Sequence, residues 1–229
     1  MLSLMPGNRV NSAPNAVAVG GAADAGERSG WPYRMLSRSW VYEALGSLTG
    51  AERGTQRLVV DHVRPFPGAR ILDVGCGTAK IAAHLGDVEY LGVEPNHSYV
   101  QSAQRTLGTM GRVSLGGIDR LAEVVMPPYD RILFIGVLHH LPDPLIAQHV
   151  AQLSEWLAPE GRLVALEATL FEGQARLPRT FARLDRGKHV RAPDAYAAFF
   201  ELAFSRVRTF LRSDLLAIPY VHCVVEASK

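Results

Sequence analysis

The chain has 229 residues, a formal net charge of +2, and 48% hydrophobic and 20% charged residues. That size and balance suit one sizeable α/β domain plus a tail. The small charge argues against nucleic acid as an obligatory partner, and no run of about 18 apolar residues is present to form a transmembrane helix. Cys76 and Cys223 stand far apart and form no metal-ligand spacing, so no metal site is expected and a reduced, cytoplasmic setting is.

Residues 1–30 are rich in Gly, Ala and Asn and show no apolar periodicity. They are expected to form a disordered tail, because they bury too little surface to offset their ordering entropy. Residues 31–229 are expected to form a single domain. In residues 31–65, Trp40, Val41, Ala44, Leu45 and Leu48 recur at helical spacing, and Leu58, Val59, His62 and Val63 make a second stripe ended by Pro65 and Pro67. Trp40 and Tyr42 on the first stripe read first as packing residues; the alternative is that the stripe forms a lid and these side chains wall a ligand pocket.

Residues 66–170 alternate strand and helix. "ARILDVG" is an apolar strand suited to burial on both faces. "TAKIAAHLG" then reads as a helix closed by Gly86. "VEYLGVEPN", "GRVSLGG", "YDRILFIGVLHHL" and "RLVALEAT" read as further strands. "HSYVQSAQRTLG" and "DPLIAQHVAQLSEWLAPEG" read as helices. This order predicts a parallel sheet with helices on both faces. Residues 171–192 have little strand character, and an insert of that length inside a compact domain is usually functional. In residues 193–229, "PDAYAAFFELAF" is a helix. "SRVRTFLRSDL" and "VHCVVEAS" are close enough to pair as an antiparallel hairpin.

A parallel sheet binds ligands beyond the carboxyl ends of its strands. Gly75 and Gly77 follow the first strand, where glycine lets backbone approach a ligand closely. Lys80 occupies the sixth position of the dinucleotide fingerprint, which disfavours a nicotinamide oxidoreductase. Glu94 lies 19 positions after Gly75, at the end of the second strand. A carboxylate there can accept hydrogen bonds from both ribose hydroxyls.

"ILDVGCGTAKI", "YLGVEPN", "RILFIGVLHHLPDP" and "WLAPEGRLVALEAT" resemble the class I S-adenosylmethionine-dependent methyltransferases, especially those modifying small molecules. The chain's ending is similar to that of one bacterial subgroup, which leaves the acceptor open. The resemblance implies a Rossmann-like seven-stranded, mostly parallel sheet whose last strand inserts antiparallel beside the fifth. It implies S-adenosyl-L-methionine as cofactor. Asp73, Gly75, Cys76 and Gly77 would surround its methionine part, and Glu94 would take the ribose hydroxyls. Pro95, Asn96, Gly117 and Ile118 would lie along the adenine, and the Gly136 carbonyl would take the ammonium. The chain departs from the family pattern at Ala79, where a third glycine is usual, and at Gly117, where an acidic residue is common and Asp119 follows instead.

Methyl transfer needs an aligned acceptor, exclusion of water and, for a hydroxyl acceptor, a base. His139 and His140 end the fourth strand and are candidate bases, or one of them orders the loop. Glu167, ending the fifth strand, is a candidate base or acceptor contact, or a buried acid paired with an arginine. In "DRGKHVR", Asp185, Arg186, Lys188, His189 and Arg191 crowd together. Either Arg186 and Arg191 grip an anionic acceptor, or Asp185 and an arginine knit a cap. The expected function is methylation of a small metabolite or natural-product intermediate. The alternative is a cofactor-binding protein without methyl transfer.

Overall fold

The computed structural model describes residues 50–184 and 187–229. The expected tail, the first lid helix with Trp40 and Tyr42, and Asp185 and Arg186 lie outside the described residues. Helix α1 (Ala51–Leu58) runs into one π-helical turn, Val59–Val63. Arg64 ends it, one residue before Pro65, by turning into the left-handed region at φ 48°.

Five parallel strands follow: β1 (Ala69–Val74), β2 (Val88–Glu94), β3 (Gly111–Leu115), β4 (Tyr129–Ile135) and β5 (Leu157–Ala168). Between them lie α2 (His97–Leu107), α3 (Leu121–Val124) and α4 (Asp143–Trp156). Asn96 starts α2: its side chain accepts from the Ser98 N–H at 2.9 Å and the Tyr99 N–H at 3.4 Å. After β5 come α5 (Arg176–Arg183) and α6 (Pro193–Glu201), then β6 (Arg206–Arg212) and β7 (His222–Ser228). The sheet order is β3-β2-β1-β4-β5-β7-β6, and β7 is antiparallel to both neighbours. The terminal hairpin thus inserts its last strand beside β5, as expected.

Alternate residues of each central strand feed two cores. Leu72, Phe134 and Val225 pack with Trp156, Tyr196 and Phe200 on one face of the sheet. Ile71, Leu133 and Val224 pack with Leu58 and Val63 on the other. Burial on both faces explains why these strands read as unbroken apolar runs.

Two local expectations change. The segment after Gly77 forms only a 3₁₀ turn, Lys80–His84, entered through Ala79. Gly86 and β2 follow so closely that a single tight turn replaces an α-helix. The insert carries α5, which the sequence hides behind Pro178. That proline sits in the first helical turn, where a missing N–H costs no intrahelical bond.

Candidate functional site

The carboxyl ends of β1, β2, β4 and β5 share one edge of the sheet. On the β1 side, the backbone turns through Gly75 (φ 71°), Gly77 (φ 55°) and Ala79 (φ 56°). A Cβ on Gly75 would lie 2.7 Å from a Val137 methyl. Gly75 is therefore demanded by packing of the chain on itself as much as by any ligand. A Cβ on Gly77 would meet nothing within 4 Å among the described residues. Gly77 is the member of the turn that faces open space. Ala79 takes the place of the third glycine in the same left-handed conformation and is fully buried. Such a conformation costs an L-residue roughly 1–2 kcal/mol.

Asp73, just before the turn, is buried. Its Oδ2 accepts from the Tyr90 hydroxyl at 2.6 Å. Its Oδ1 has no hydrogen-bond partner among the described residues. Burial pushes the carboxyl up to about 7; the Tyr90 hydrogen bond opposes that shift and the Glu94 charge adds to it. Burial and Asp73 also push the Cys76 thiol well up, so the thiol is not a ready nucleophile. Glu94 is buried at the end of β2. Its two oxygens accept from the Gly77 N–H at 3.0 Å and the Asn96 N–H at 2.9 Å, which ties the glycine turn to the β2 end. Pro95 and Asn96 are exposed beside it, and the Asn96 side chain is occupied as a helix cap. Past β3, Ile118 is buried, Gly117 is half-buried, and Asp119 Oδ1 lies where a Gly117 Cβ would point.

The β4 side is built differently. Gly136 (φ 72°) is exposed, and its N–H bonds to Leu166 O at 2.7 Å. Glu167 is 0% exposed. It accepts from the N–H groups of Val137 (3.1 Å), Leu138 (2.8 Å) and His139 (3.2 Å), and its Oε2 lies 2.5 Å from His139 Nδ1. The Glu167 carboxylate is enclosed, and its bonds hold the loop after β4; its partners are backbone N–H groups and a histidine, where an arginine was the alternative expected. His139 is buried with it, and a Cβ on Gly187 would lie 2.0 Å from the His139 ring. His140 is half-buried and packs on His139 with ring centroids 4.2 Å apart.

Arg191 is extensively bonded within the chain. Its Nε donates to Asp143 Oδ1 at 2.9 Å. Nη1 donates to Leu138 O at 2.8 Å and His189 O at 2.9 Å, and Nη2 to Leu141 O at 2.6 Å and Asp143 Oδ1 at 2.5 Å. All five guanidinium N–H groups are thereby used. The group also lies over the rings of Tyr196 and Phe199. Arg191 fixes the loop after β4 to the start of α4 and to α6, with Asp143 as its acid; the Asp185 that the sequence offered as partner lies outside the described residues.

Tyr90 was not among the sequence candidates. Its signal was a phenol in the middle of a buried strand, where a hydroxyl needs a partner. Among the described residues no helix is long and apolar enough to cross a membrane.

Residues 72–163 match the model of a methyltransferase domain. The tRNA U34 carboxymethyltransferase of Serratia proteamaculans (strain 568) is 35% identical over 123 residues, 50% of this chain and 36% of that protein. The chain thus spans little more than a third of the length of that relative. The structure of a TehB-like S-adenosylmethionine-dependent methyltransferase from Corynebacterium glutamicum superimposes with a TM-score of 0.59 at 17% identity, covering 87% of this chain and 100% of the other. Human N-acetylserotonin methyltransferase, in complex with S-adenosylmethionine, gives 0.62 at 15% identity, covering 87% and 57%. Residues 72–163 thus match a methyltransferase domain, and the β3-β2-β1-β4-β5-β7-β6 sheet has the fold of these S-adenosylmethionine-dependent methyltransferases.

Proposed function

We propose that this protein methylates a small metabolite or natural-product intermediate with S-adenosylmethionine. The observation that carries the cofactor assignment is the juxtaposition of Asp73 Oδ1, buried without a partner among the described residues, with the open face of Gly77. An amino-acid ammonium suits the first and close backbone approach suits the second. On this reading Asp73 and Gly75–Gly77 hold the methionine part. Glu94 takes the ribose hydroxyls, and Pro95, Asn96, Gly117 and Ile118 line the adenine. The Gly136 carbonyl adds an acceptor for the ammonium. Bound there, S-adenosylmethionine would supply an electrophilic sulfonium methyl group for transfer to an acceptor lone pair. The protein's part is positioning and exclusion of water. His140 is the histidine of the pair with surface access, and is the candidate to take a proton from a hydroxyl acceptor.

A small acceptor is supported by the net charge of +2, since polynucleotide binding calls for clustered Lys and Arg. It is also supported by the likeness to N-acetylserotonin methyltransferase. The second reading, a tRNA acceptor, is favoured by the name of the 35% identical relative. The test is incubation with methyl-labelled S-adenosylmethionine and, separately, a metabolite extract and bulk tRNA. Label in the small-molecule fraction is expected. Label in tRNA alone would establish the second reading. Calorimetric cofactor binding with no transfer to either pool would point to a binding protein.

A further inference from the structure

β1 and β2 pair in register, Ile71 opposite Tyr90 and Asp73 opposite Gly92. Side chains two apart on a strand share a face. Tyr90 and Asp73 therefore lie on the same face, one step apart along the strands, and Gly92 stands between them. Gly92 has no side chain to fill that step. A Cβ there would lie 2.6 Å from Cys76 Sγ and 3.3 Å from the Tyr90 ring. On the other side, a Cβ on Gly111 of β3 would lie 2.9 Å from Tyr90 Cβ and 3.0 Å from its ring. Two glycines on two strands thus leave a channel through which the phenol rises to Asp73. At its end the hydroxyl donates to Oδ2 at 2.6 Å, while Oδ1 has no described partner. Tyr90 is itself buried, so its hydroxyl cannot turn to bulk water instead.

We propose that Tyr90 is a positioning residue for the cofactor: its hydroxyl holds one oxygen of Asp73, so that the other oxygen is aimed at the cofactor's ammonium. This rests on the reading of Asp73 as the contact for the methionine part. The charge balance at Asp73 explains why a donor is needed. Desolvation favours the neutral acid, which would offer a cation no charge. The groups that face Asp73 among the described residues are Tyr90 and Glu94 from β2 and Cys76 from the turn. Glu94 raises the Asp73 pKa further. Cys76 is held as a neutral thiol by burial, so Tyr90 is the group among them that favours the anion.

Two measurements on the whole protein test this. The Asp73 carboxyl is titrated by carbon-detected NMR, with Asp73→Asn for assignment, and S-adenosylhomocysteine binding is followed by calorimetry across pH. In the wild type, binding strengthens as pH rises through the Asp73 midpoint, because the cation needs the ionised partner. Tyr90→Phe keeps the ring in its channel and removes the donor. It should move the Asp73 midpoint up by about one pH unit and weaken binding at pH 7 about fivefold, because the ionised fraction there falls from about a half to about a tenth. Replacing Tyr90 by 3-fluorotyrosine, a stronger donor, should move the midpoint down. The ligand's own amino group titrates identically in every variant and cancels from the comparison. An unmoved Asp73 midpoint in both variants, with binding intact, would overturn the role of Tyr90 alone. No S-adenosylhomocysteine binding by the wild type at any pH would overturn the cofactor reading and this proposal with it.

Discussion

Asp73 and Glu167 are both buried carboxylates at the carboxyl ends of neighbouring parts of one sheet, yet their surroundings differ. Asp73 receives one hydroxyl and has one oxygen with no described partner. Glu167 receives three successive backbone N–H groups and an imidazole. Burying a charge is costly unless its bonding capacity is filled. Where it is filled, as at Glu167, the group is a staple. At Asp73 one oxygen is left unfilled by the described residues, which is the observation behind the proposed cofactor contact. The same contrast separates the halves of the edge: the β1–β2 half holds the glycine turn and a buried carboxylate oxygen with no described partner, and the β4–β5 half is knotted by Glu167 and Arg191.

The sharpest way to break this comparison is Glu167→Ala. It leaves three loop N–H groups and His139 without their acceptor, and should cost about 3–5 kcal/mol of stability in urea unfolding. A loss below about 1 kcal/mol would show that the loop holds itself and would return Glu167 to the list of reactive groups. Arg191→Ala should follow at about 2–3 kcal/mol, because the carbonyls of Leu138, Leu141 and His189 lose a charged donor. Arg191→Lys should recover only part of this, since the planar fork spans all its acceptors at once. A stable Arg191→Ala protein with a raised acceptor KM would instead restore the anion-binding role. On the open half the stability effect should be smallest. Gly77→Ala puts its methyl into open space and costs only the left-handed backbone, about 1 kcal/mol. Calorimetry should nonetheless show a much larger loss of cofactor affinity. Unchanged affinity would mean that Gly77 does not border the cofactor.

The order of strands, the glycine turn and the acid at the end of β2 were legible because each rests on local rules. Buried parallel strands read as apolar runs, glycines mark left-handed turns, and a strand-end acid sits at a fixed offset from the turn. The 3₁₀ turn at Lys80–His84 and the helix Arg176–Arg183 were not, since closely spaced flanking elements and a first-turn proline outweigh local propensity.

The sequence by itself therefore determined the α/β architecture, the carboxyl edge of the parallel strands and the residue types gathered there. Only the tertiary structure decided which of those residues are already satisfied. Arg191 bonds Leu138, 53 residues earlier, and Tyr90 reaches Asp73 across 17 residues and a strand boundary. Such pairings depend on register, on missing side chains at Gly92 and Gly111, and on burial that excludes water as a substitute partner. Charge and residue type are properties of the chain, but an unfilled hydrogen-bonding site is a property of the fold.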